Sequence, residues 1–349
     1  MPFAVPRPAL LLLAVLGAAG IALVATALVP SGDGHHAAMP VPAISKVAVG
    51  DGKPRVAPID AEPSAQSTAD AAAQTPTAGG LRSEVDALPV KAFHGPVAAY
   101  RRYAIKDARA MAAPAAAITA RLRAGDRSGA EAAWGQAYDK YLLLGAAYGA
   151  LGALDAAIDG GSGGQPLGTR DPHFTGLHRV EHDLWTGRPP ASIVPFARRL
   201  ERDTARLPRK LAKMEIPPLD YATRAHEILE DAQRDQLSDV AAPWSGAGLR
   251  ATADDLQATR TVMATLHPIL SGRGDVLIPV NFYMKDLGKR LSAVRRGHHG
   301  RWPAVSAMTQ REHASINGSL GALLEALSGV PGDLETQLPP AVPAIPKTT

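Results

Sequence analysis

Apolar side chains recur every three or four residues along most of the chain beyond residue 81. The first long stretch runs from Val97 to Arg123 and stops at Gly125-Asp126. This spacing places the apolar residues on one face of a helix and the polar residues on the other. Further stretches with the same period cover residues 128–150, 174–186, 190–213, 221–238, 248–270, 281–296 and 309–327. Most breaks between them contain proline or glycine, so the pattern predicts an all-α fold, a helical bundle with short or moderate connections.

The N-terminal region has a different pattern, an uncharged apolar run from Ala9 to Val29 between Arg7 and Pro30. A helix of this length can cross the ~30 Å hydrocarbon core of a bilayer, which predicts a single transmembrane helix. The small residues Ala25-Thr26-Ala27 favour the alternative, a cleaved signal helix. Because the only nearby positive charge precedes the run, both hypotheses place the remainder outside the cytoplasm. We therefore expect a single-pass protein of the cell membrane with an extracytoplasmic domain, or a secreted or periplasmic protein if the segment is cleaved.

Composition divides the chain into four parts. Residues 1–30 form the predicted membrane anchor or signal segment. Residues 31–80 are rich in proline, alanine, glycine, serine and threonine and keep no apolar period, which predicts a flexible linker. Residues 81–330 contain the helical patterns and form the predicted helical domain. Residues 331–349 are proline-rich and are predicted to be a disordered tail.

The totals exclude several classes of function. The 349 residues include no cysteine, which excludes disulfides, thiolate metal sites and a cysteine nucleophile. The net charge of +4 is a small excess of 37 Lys and Arg over 33 Asp and Glu. Because no basic segment with interleaved aromatics and no recognition motif is present, we expect no nucleic-acid partner.

The densest cluster of possible metal ligands is His178-Arg179-Val180-Glu181-His182-Asp183. Residues three and four apart share one face of a helix, so His178, Glu181 and His182 can point in one direction. Two imidazoles and a carboxylate suit a divalent or ferric ion. The alternative is an ordinary charged helix face. The cluster also matches the inverted zinc-protease signature, in which the glutamate activates water, although that class needs a mixed α/β scaffold that the helical pattern does not predict.

The residues around this cluster carry a resemblance to a known family. Gly176-Leu177-His178-Arg179-Val180-Glu181-His182-Asp183-Leu184-Trp185 resembles the Gly-Phe-His-Arg-x-Glu-x-x-Leu-Trp signature of the imelysin-like family, in its EfeO/EfeM branch of extracytoplasmic iron-uptake proteins. Three further segments resemble the family in their order and approximate spacing: Tyr100-Arg101-Arg102-Tyr103, Leu154-Asp155-Ala156-Ala157-Ile158-Asp159 and Ala225-His226-Glu227-Ile228-Leu229-Glu230. The resemblance extends over residues 95–330.

The resemblance implies an all-helical fold of two related four-helix bundles, with His178 and Glu181 lining a metal-binding cleft. The family's Leu-Asp-x-x-Ile-Asp segment adds Asp155 and Asp159 to the expected ligands, and His182 is a further candidate. The expected ion is a transition metal, iron, with Zn2+ or Cu2+ as alternatives. The expected partners are an iron permease or other membrane uptake components. Binding and not peptide cleavage is expected, so the chain is not predicted to be an enzyme, and no cupredoxin-like domain is expected before residue 81.

One departure from the family concerns the end of the helix that precedes the Gly-rich loop. Where the family reads Tyr-Glu-Arg-Ile-Glu-Pro, this chain reads Tyr141-Leu142-Leu143-Leu144-Gly145-Ala146, so leucine and glycine replace two glutamates. Loss of two carboxylates lowers the affinity of a site for a hard cation such as Fe3+. This departure supports an alternative function, a metal-free module that binds a polymer or a partner protein in the same cleft. An exported metallopeptidase is the third hypothesis.

Two other charged groups are assigned no site. Asp254 and Asp255 are interpreted as charges that stabilise the positive end of a helix dipole. The basic turn Arg295-Arg296-Gly297-His298-His299-Gly300-Arg301 is interpreted as a solvated loop, with contact to anionic lipid or polysaccharide as the alternative.

Overall fold

Helices form every regular element of the residues that the computed structural model describes, 88–163 and 165–334. The all-α prediction is confirmed for this part of the chain. The predicted transmembrane or signal helix, the linker and most of the tail lie outside these residues, and the predicted domain boundaries stay predictions. Among the helices described, none combines the length and the apolar character that a membrane crossing needs.

The α-helices of the described residues are, in chain order, α1 (His94–Ala110), α2 (Ala112–Arg123), α3 (Arg127–Leu142), α4 (Tyr148–Leu151), α5 (Ala153–Asp159), α6 (Gly176–Trp185), α7 (Pro190–Thr204), α8 (Leu207–Lys213), α9 (Pro218–Asp231), α10 (Gly248–Leu270), α11 (Leu277–Gly297), α12 (Gln310–Ser328) and α13 (Val330–Asp333). Short 3-10 turns precede α1 and α4, and a π-helical turn, Ala232–Gln236, extends α9.

The longer helices pack in two groups of four. In the first group α2 contacts α3 and α7, and α6 contacts the same two helices, so the four close around one core. In the second group α10 contacts α9 and α11, and α12 contacts the same two helices. Helix α1 contacts α3 and α10 and thereby joins the groups. The expectation that the two groups are related bundles stays a prediction.

Two of the predicted helices are each divided into two shorter helices, and a proline explains each division. The pattern predicts one helix over 97–123, but α1 ends at Ala110. Pro114 has no N–H to donate to the carbonyl of Ala110, four residues earlier, so the hydrogen-bond ladder is interrupted there. The predicted helix that spans α7 and α8 divides in the same way, because Pro208 cannot donate to the carbonyl of Thr204, where α7 ends. Apolar periodicity continues across both breaks and therefore does not reveal them.

Candidate metal centre

Helix α6 carries the His-x-x-Glu signature, and α3 holds it in place. The indole Nε1 of Trp134 on α3 donates a hydrogen bond of 2.8 Å to the carbonyl of Leu177. Arg127, the first residue of α3, donates to the carbonyls of Leu184 and Arg188. These contacts connect α3 to both ends of α6, so the side chains of α6 project from a fixed backbone.

Gly176, the first residue of α6, allows α5 to approach α6 closely. Its φ of +81° lies in the left-handed region that favours glycine. A Cβ atom at this position would lie 2.2 Å from the carbonyl oxygen of Ile158, so a larger residue cannot be accommodated without movement of the backbone. The close approach places Asp159, the last residue of α5, beside His178.

Replacing Gly176 with alanine is expected to destabilise the protein by about 2–4 kcal/mol, because the methyl group adds backbone strain and an overlap with Ile158. Thermal unfolding followed by circular dichroism measures the change. Gly321→Ala on α12 is the matched control, since no atom lies near its Cβ position, and it should raise the melting temperature slightly. An unchanged melting temperature for Gly176→Ala would contradict the close approach of α5 to α6.

The imidazole of His178 is buried between two carboxylates and is only 4% exposed. Its Nδ1 lies 3.1 Å from Oε2 of Glu181, and its Nε2 lies 3.2 Å from Oδ1 of Asp159. Burial disfavours the charged imidazolium, but the negative charges of Asp159 and Glu181 outweigh it and raise the pKa of His178 to about 10. His178 is therefore an imidazolium at neutral pH, and a metal ion at Nε2 would have to replace a proton.

Glu181 has no exposed surface, and both of its oxygens are engaged. Oε1 accepts hydrogen bonds from the backbone amides of Trp244, at 3.2 Å, and Ser245, at 2.8 Å. Oε2 faces His178 at 3.1 Å. Glu181 therefore orients the imidazole of His178 and anchors the segment before α10.

Asp155 and Asp159 extend the acidic surroundings of His178 from α5. The hydroxyl of Tyr141 donates a hydrogen bond to Oδ1 of Asp155. Burial and the negative charge of Asp159 raise the pKa of Asp155 to about 6, although Tyr141 and Arg224 act in the opposite direction. Both aspartates are half-buried, and the side chain of Asp159 is 31% exposed.

His182 has different neighbours from His178. Its Nδ1 lies 2.8 Å from Oδ1 of Asp183, and its ring meets Trp244 edge-on at a centroid distance of 4.9 Å. The ring of Phe174 is a further contact, at 6.3 Å. The recorded contacts of His182 therefore lie with Asp183 and two aromatic rings, whereas those of His178 lie with Asp159 and Glu181.

Asp255 is a buried acid that the sequence analysis assigned to a helix dipole. That interpretation was wrong, because Asp255 lies two turns inside α10 and is only 3% exposed. Burial, and then the negative charges of Asp254 and other acids that include Asp159, raise its pKa well above the usual value. The sequence did carry a signal for this burial, since Asp255 occurs at helical spacing from Thr252 and Thr259, which are buried too.

Asp254→Asn is expected to stabilise the protein increasingly as the pH rises. Burial and the neighbouring carboxylate of Asp139, which pairs with Arg250 at 2.9 Å, raise the pKa of Asp254. The folded state therefore holds this proton more tightly than the unfolded state, so wild-type stability falls as the pH rises from the unfolded pKa through the folded one. Melting temperatures of the two proteins should coincide near pH 3, diverge as the pH rises above about 4, and differ by a constant amount above the folded pKa of Asp254, about 8. A constant difference across this range would contradict the expectation, and the exposed Glu325→Gln serves as the control.

The two positions that depart from the family signature are buried against apolar neighbours. Leu142, the last residue of α3, is 3% exposed. A Cβ atom at Gly145 would lie 2.8 Å from Cδ1 of Ile228 and 3.2 Å from Cβ of Ala258. A glutamate at residue 145 would require Ile228 to move, and α3 ends before Gly145, not at residue 150 as the pattern predicted.

The described residues contain no group of three histidine or acidic side chains in metal-binding geometry. The structure brings His178 together with Asp159 and Glu181. Asp155 lies one turn from Asp159 on α5. The predicted ligand set of His178, Glu181, His182, Asp155 and Asp159 stays a prediction.

Comparison with known proteins agrees with this combination of helices and signature. The family model for imelysin matches residues 96–274, and the chain belongs to the imelysin family. Its relatives include the "Iron uptake system component EfeO" of Escherichia coli (strain K12) and that of Shigella flexneri. Each is 22% identical over 241 residues, which cover 69% of this chain and 64% of the relative. The chain is therefore an imelysin-like protein of the EfeO/EfeM type that spans just under two thirds of the length of these relatives.

Proposed function

We propose that this protein binds iron as its cargo at His178 and serves as the iron-binding component of an extracytoplasmic uptake system. The observation that carries the proposal is the position of His178, whose buried imidazole lies between the carboxylates of Asp159 and Glu181. The name of the EfeO relatives supports the assignment to iron uptake. Zn2+ and Cu2+ are the alternative ions, because both accept imidazole ligands.

The charges around His178 favour a bound cation. Asp159, Glu181 and the neighbouring Asp155 and Asp255 are acidic, and the negative charge of Asp159 contributes to the raised pKa of both Asp155 and Asp255. Like charges that repel one another in a buried region are stabilised when a cation binds near them. Carboxylate oxygens are also the ligands that hard ions such as Fe3+ prefer.

The side chains would have different roles in holding the ion. His178 would use Nε2, which faces the partly exposed Asp159 at 3.2 Å. Asp155 would add a carboxylate oxygen from the same helix as Asp159. Glu181 would orient His178 through Nδ1 and not contact the ion, because backbone amides occupy its other oxygen.

The same arrangement favours binding over hydrolysis. A metallopeptidase of the inverted zinc type needs its glutamate free to activate water. Glu181 is fully buried and is engaged through both oxygens. We therefore propose that the protein is not an enzyme, although its family also has a peptidase name.

The location and partners follow from the N-terminal pattern and the relatives together. We propose a single-pass membrane tether at residues 1–30, with the helical domain outside the cytoplasm, or release of that domain if the segment is cleaved. An iron permease, or another membrane component of an uptake system, is the proposed partner. The apolar run from Ala9 to Val29 and the name of the EfeO relatives support this.

A second candidate function is a metal-free module that binds a polymer or partner protein. Two observations favour it. Gly145 packs against Ile228, so a side chain that carries the carboxylate of the family signature would require Ile228 to move. In addition, both ring nitrogens of His178 already have carboxylate partners without a metal.

Iron titration of the full chain in detergent separates the two functions. The chain is stripped with a chelator and titrated with ferric citrate, and bound iron is measured by elemental analysis after desalting. Iron binding predicts one retained ion per chain, and Zn2+ and Cu2+ titrated in parallel establish the preference. Retention of none of the three ions would reject the metal-binding function and leave the second candidate.

A further inference from the structure

The solvent-exposed face of α11 carries both apolar and basic side chains. Ile278 and Phe282, 71% and 64% exposed, are near its N-terminal end. Lys285, Lys289 and Arg296 follow on the same face, because consecutive members of the set are three, four or seven residues apart. At a rise of 1.5 Å per residue, this row is about 27 Å long.

A basic groove runs beside this face, between α10 and α11. Its volume is about 900 Å3, and its apolar lining includes Met263, Leu277 and Met284. Arg260 and His267 contribute positive or titratable groups from α10, opposite the lysines of α11. None of the described residues that line it is acidic.

No ion pair among the described residues neutralises these basic groups. Arg260, Lys285, Lys289 and Arg296 form no ion pair within residues 88–163 and 165–334. Nη2 of Arg260 donates a hydrogen bond of 2.8 Å to the carbonyl of Met284, which fixes the guanidinium at the groove.

The acidic residue of α11 does not neutralise the basic groups of the exposed face. Asp286 is the only acidic residue of the helix. Its Oδ2 accepts from Arg290 at 2.6 Å and from the hydroxyl of Ser319, on α12, at 2.7 Å. The carboxylate is therefore occupied by these two partners, and Lys289 interacts with it only through a weaker charge interaction, without an ion pair.

We propose that the exposed face of α11, together with the adjacent groove, docks on the surface of an anionic phospholipid bilayer. Exposed large apolar residues can enter the interfacial region of a bilayer, while lysine and arginine contact anionic headgroups. The three cations span about 17 Å along the helix, within a face about 27 Å long, which matches an extended charged surface and exceeds the size of a single small anion. The docking does not depend on metal binding, because none of these residues belongs to the candidate metal centre.

A single fluorescent label can test this contact in the full chain. The protein has no cysteine, so Ser292→Cys, on the same face of α11, provides a unique site for an environment-sensitive dye. Ala191→Cys, exposed on α7, provides the reference label. Each labelled chain is reconstituted into vesicles of phosphatidylcholine alone or of equal parts of phosphatidylcholine and phosphatidylglycerol. Because both labelled variants are otherwise the same full chain, insertion of the N-terminal segment affects both labels in the same way.

Docking predicts that the fluorescence of the label on α11 shifts to the blue and is quenched by brominated lipid. Both effects should occur only when phosphatidylglycerol is present. The label on α7 should show no change. In the α11-labelled chain, Lys285→Gln with Lys289→Gln should lower the ratio of docked to undocked protein about 25-fold, since each cation near an anionic surface contributes ~1 kcal/mol and 1.4 kcal/mol is tenfold. Lys210→Gln with Lys213→Gln, on the exposed surface of α8, removes the same charge and should leave the shift unchanged.

Four results would overturn the proposal. The first is an absence of any shift, and the second is an equal shift in both lipid compositions. A shift produced by soluble polyglutamate, with none from the anionic vesicles, would assign the face to an acidic polymer or protein. A shift that depends on protein concentration without lipid would assign it to a second copy of the chain.

Discussion

Replacement of His178 by alanine is expected to lower the affinity for iron at least about 100-fold, because it removes the imidazole that lies between Asp159 and Glu181. The measurement is a competition titration of the full chain against a chromogenic chelator. Circular dichroism checks that the variant keeps its helices. Unchanged affinity in a folded variant would remove His178 from the site.

Two other histidines provide the comparison. His173→Ala is the matched control, since its side chain is 84% exposed and contacts Asp171 in a loop, and its iron affinity should equal that of the wild type. His182→Ala tests the second imidazole of the signature. Because Asp183 and Trp244 contact His182, we expect a loss smaller than that for His178→Ala. A greater loss for His182→Ala would move the site to the other imidazole.

Replacement of Glu181 by leucine is expected to destabilise the protein by about 3–5 kcal/mol, because it leaves a buried imidazolium without one of its partners. The backbone amides of Trp244 and Ser245 also lose their acceptor. For a domain of this size each kcal/mol lowers the melting temperature by about 2–4 °C, so a decrease of roughly 10 °C is expected. Thermal unfolding of the metal-free chain measures it.

The control is Glu230→Leu, which removes an exposed carboxylate from α9 and should change stability by less than about 0.5 kcal/mol. Glu181→Gln keeps an acceptor for the amides and should be less destabilised than Glu181→Leu. If Glu181→Leu melts like the wild type, Glu181 is not the buried anchor described above.

The sequence predicted the fold because helical periodicity is a local property. The apolar pattern predicted both ends of α10 and of α12 to within a residue or two. Glycine, proline or a capping threonine stands near these ends and interrupts the pattern. Pro114 and Pro208 divided two predicted helices, because loss of one N–H leaves the apolar pattern unchanged. Both breaks lie at the residue four positions before the proline, whose carbonyl lacks an N–H partner, and this rule locates them in the sequence.

The candidate site was predictable only in part, because it combines separate helices. His178 and Glu181 are three residues apart, so their shared face followed from helical geometry alone. The contact between His178 and Asp159 depends on the close approach at Gly176, which only the folded chain shows. Asp255 was missed because the pair Asp254-Asp255 was interpreted as lying at the start of a helix, whereas Asp255 lies two turns inside α10 on its buried face.

Anomalous diffraction at the iron edge from crystals of the iron-loaded full chain tests the central claim most directly. If the proposal is correct, an anomalous peak lies within coordination distance of Nε2 of His178 and of a carboxylate oxygen of Asp159. A peak bound by other side chains, or an iron-loaded crystal in which His178 and Asp159 still contact each other without a peak, would contradict it.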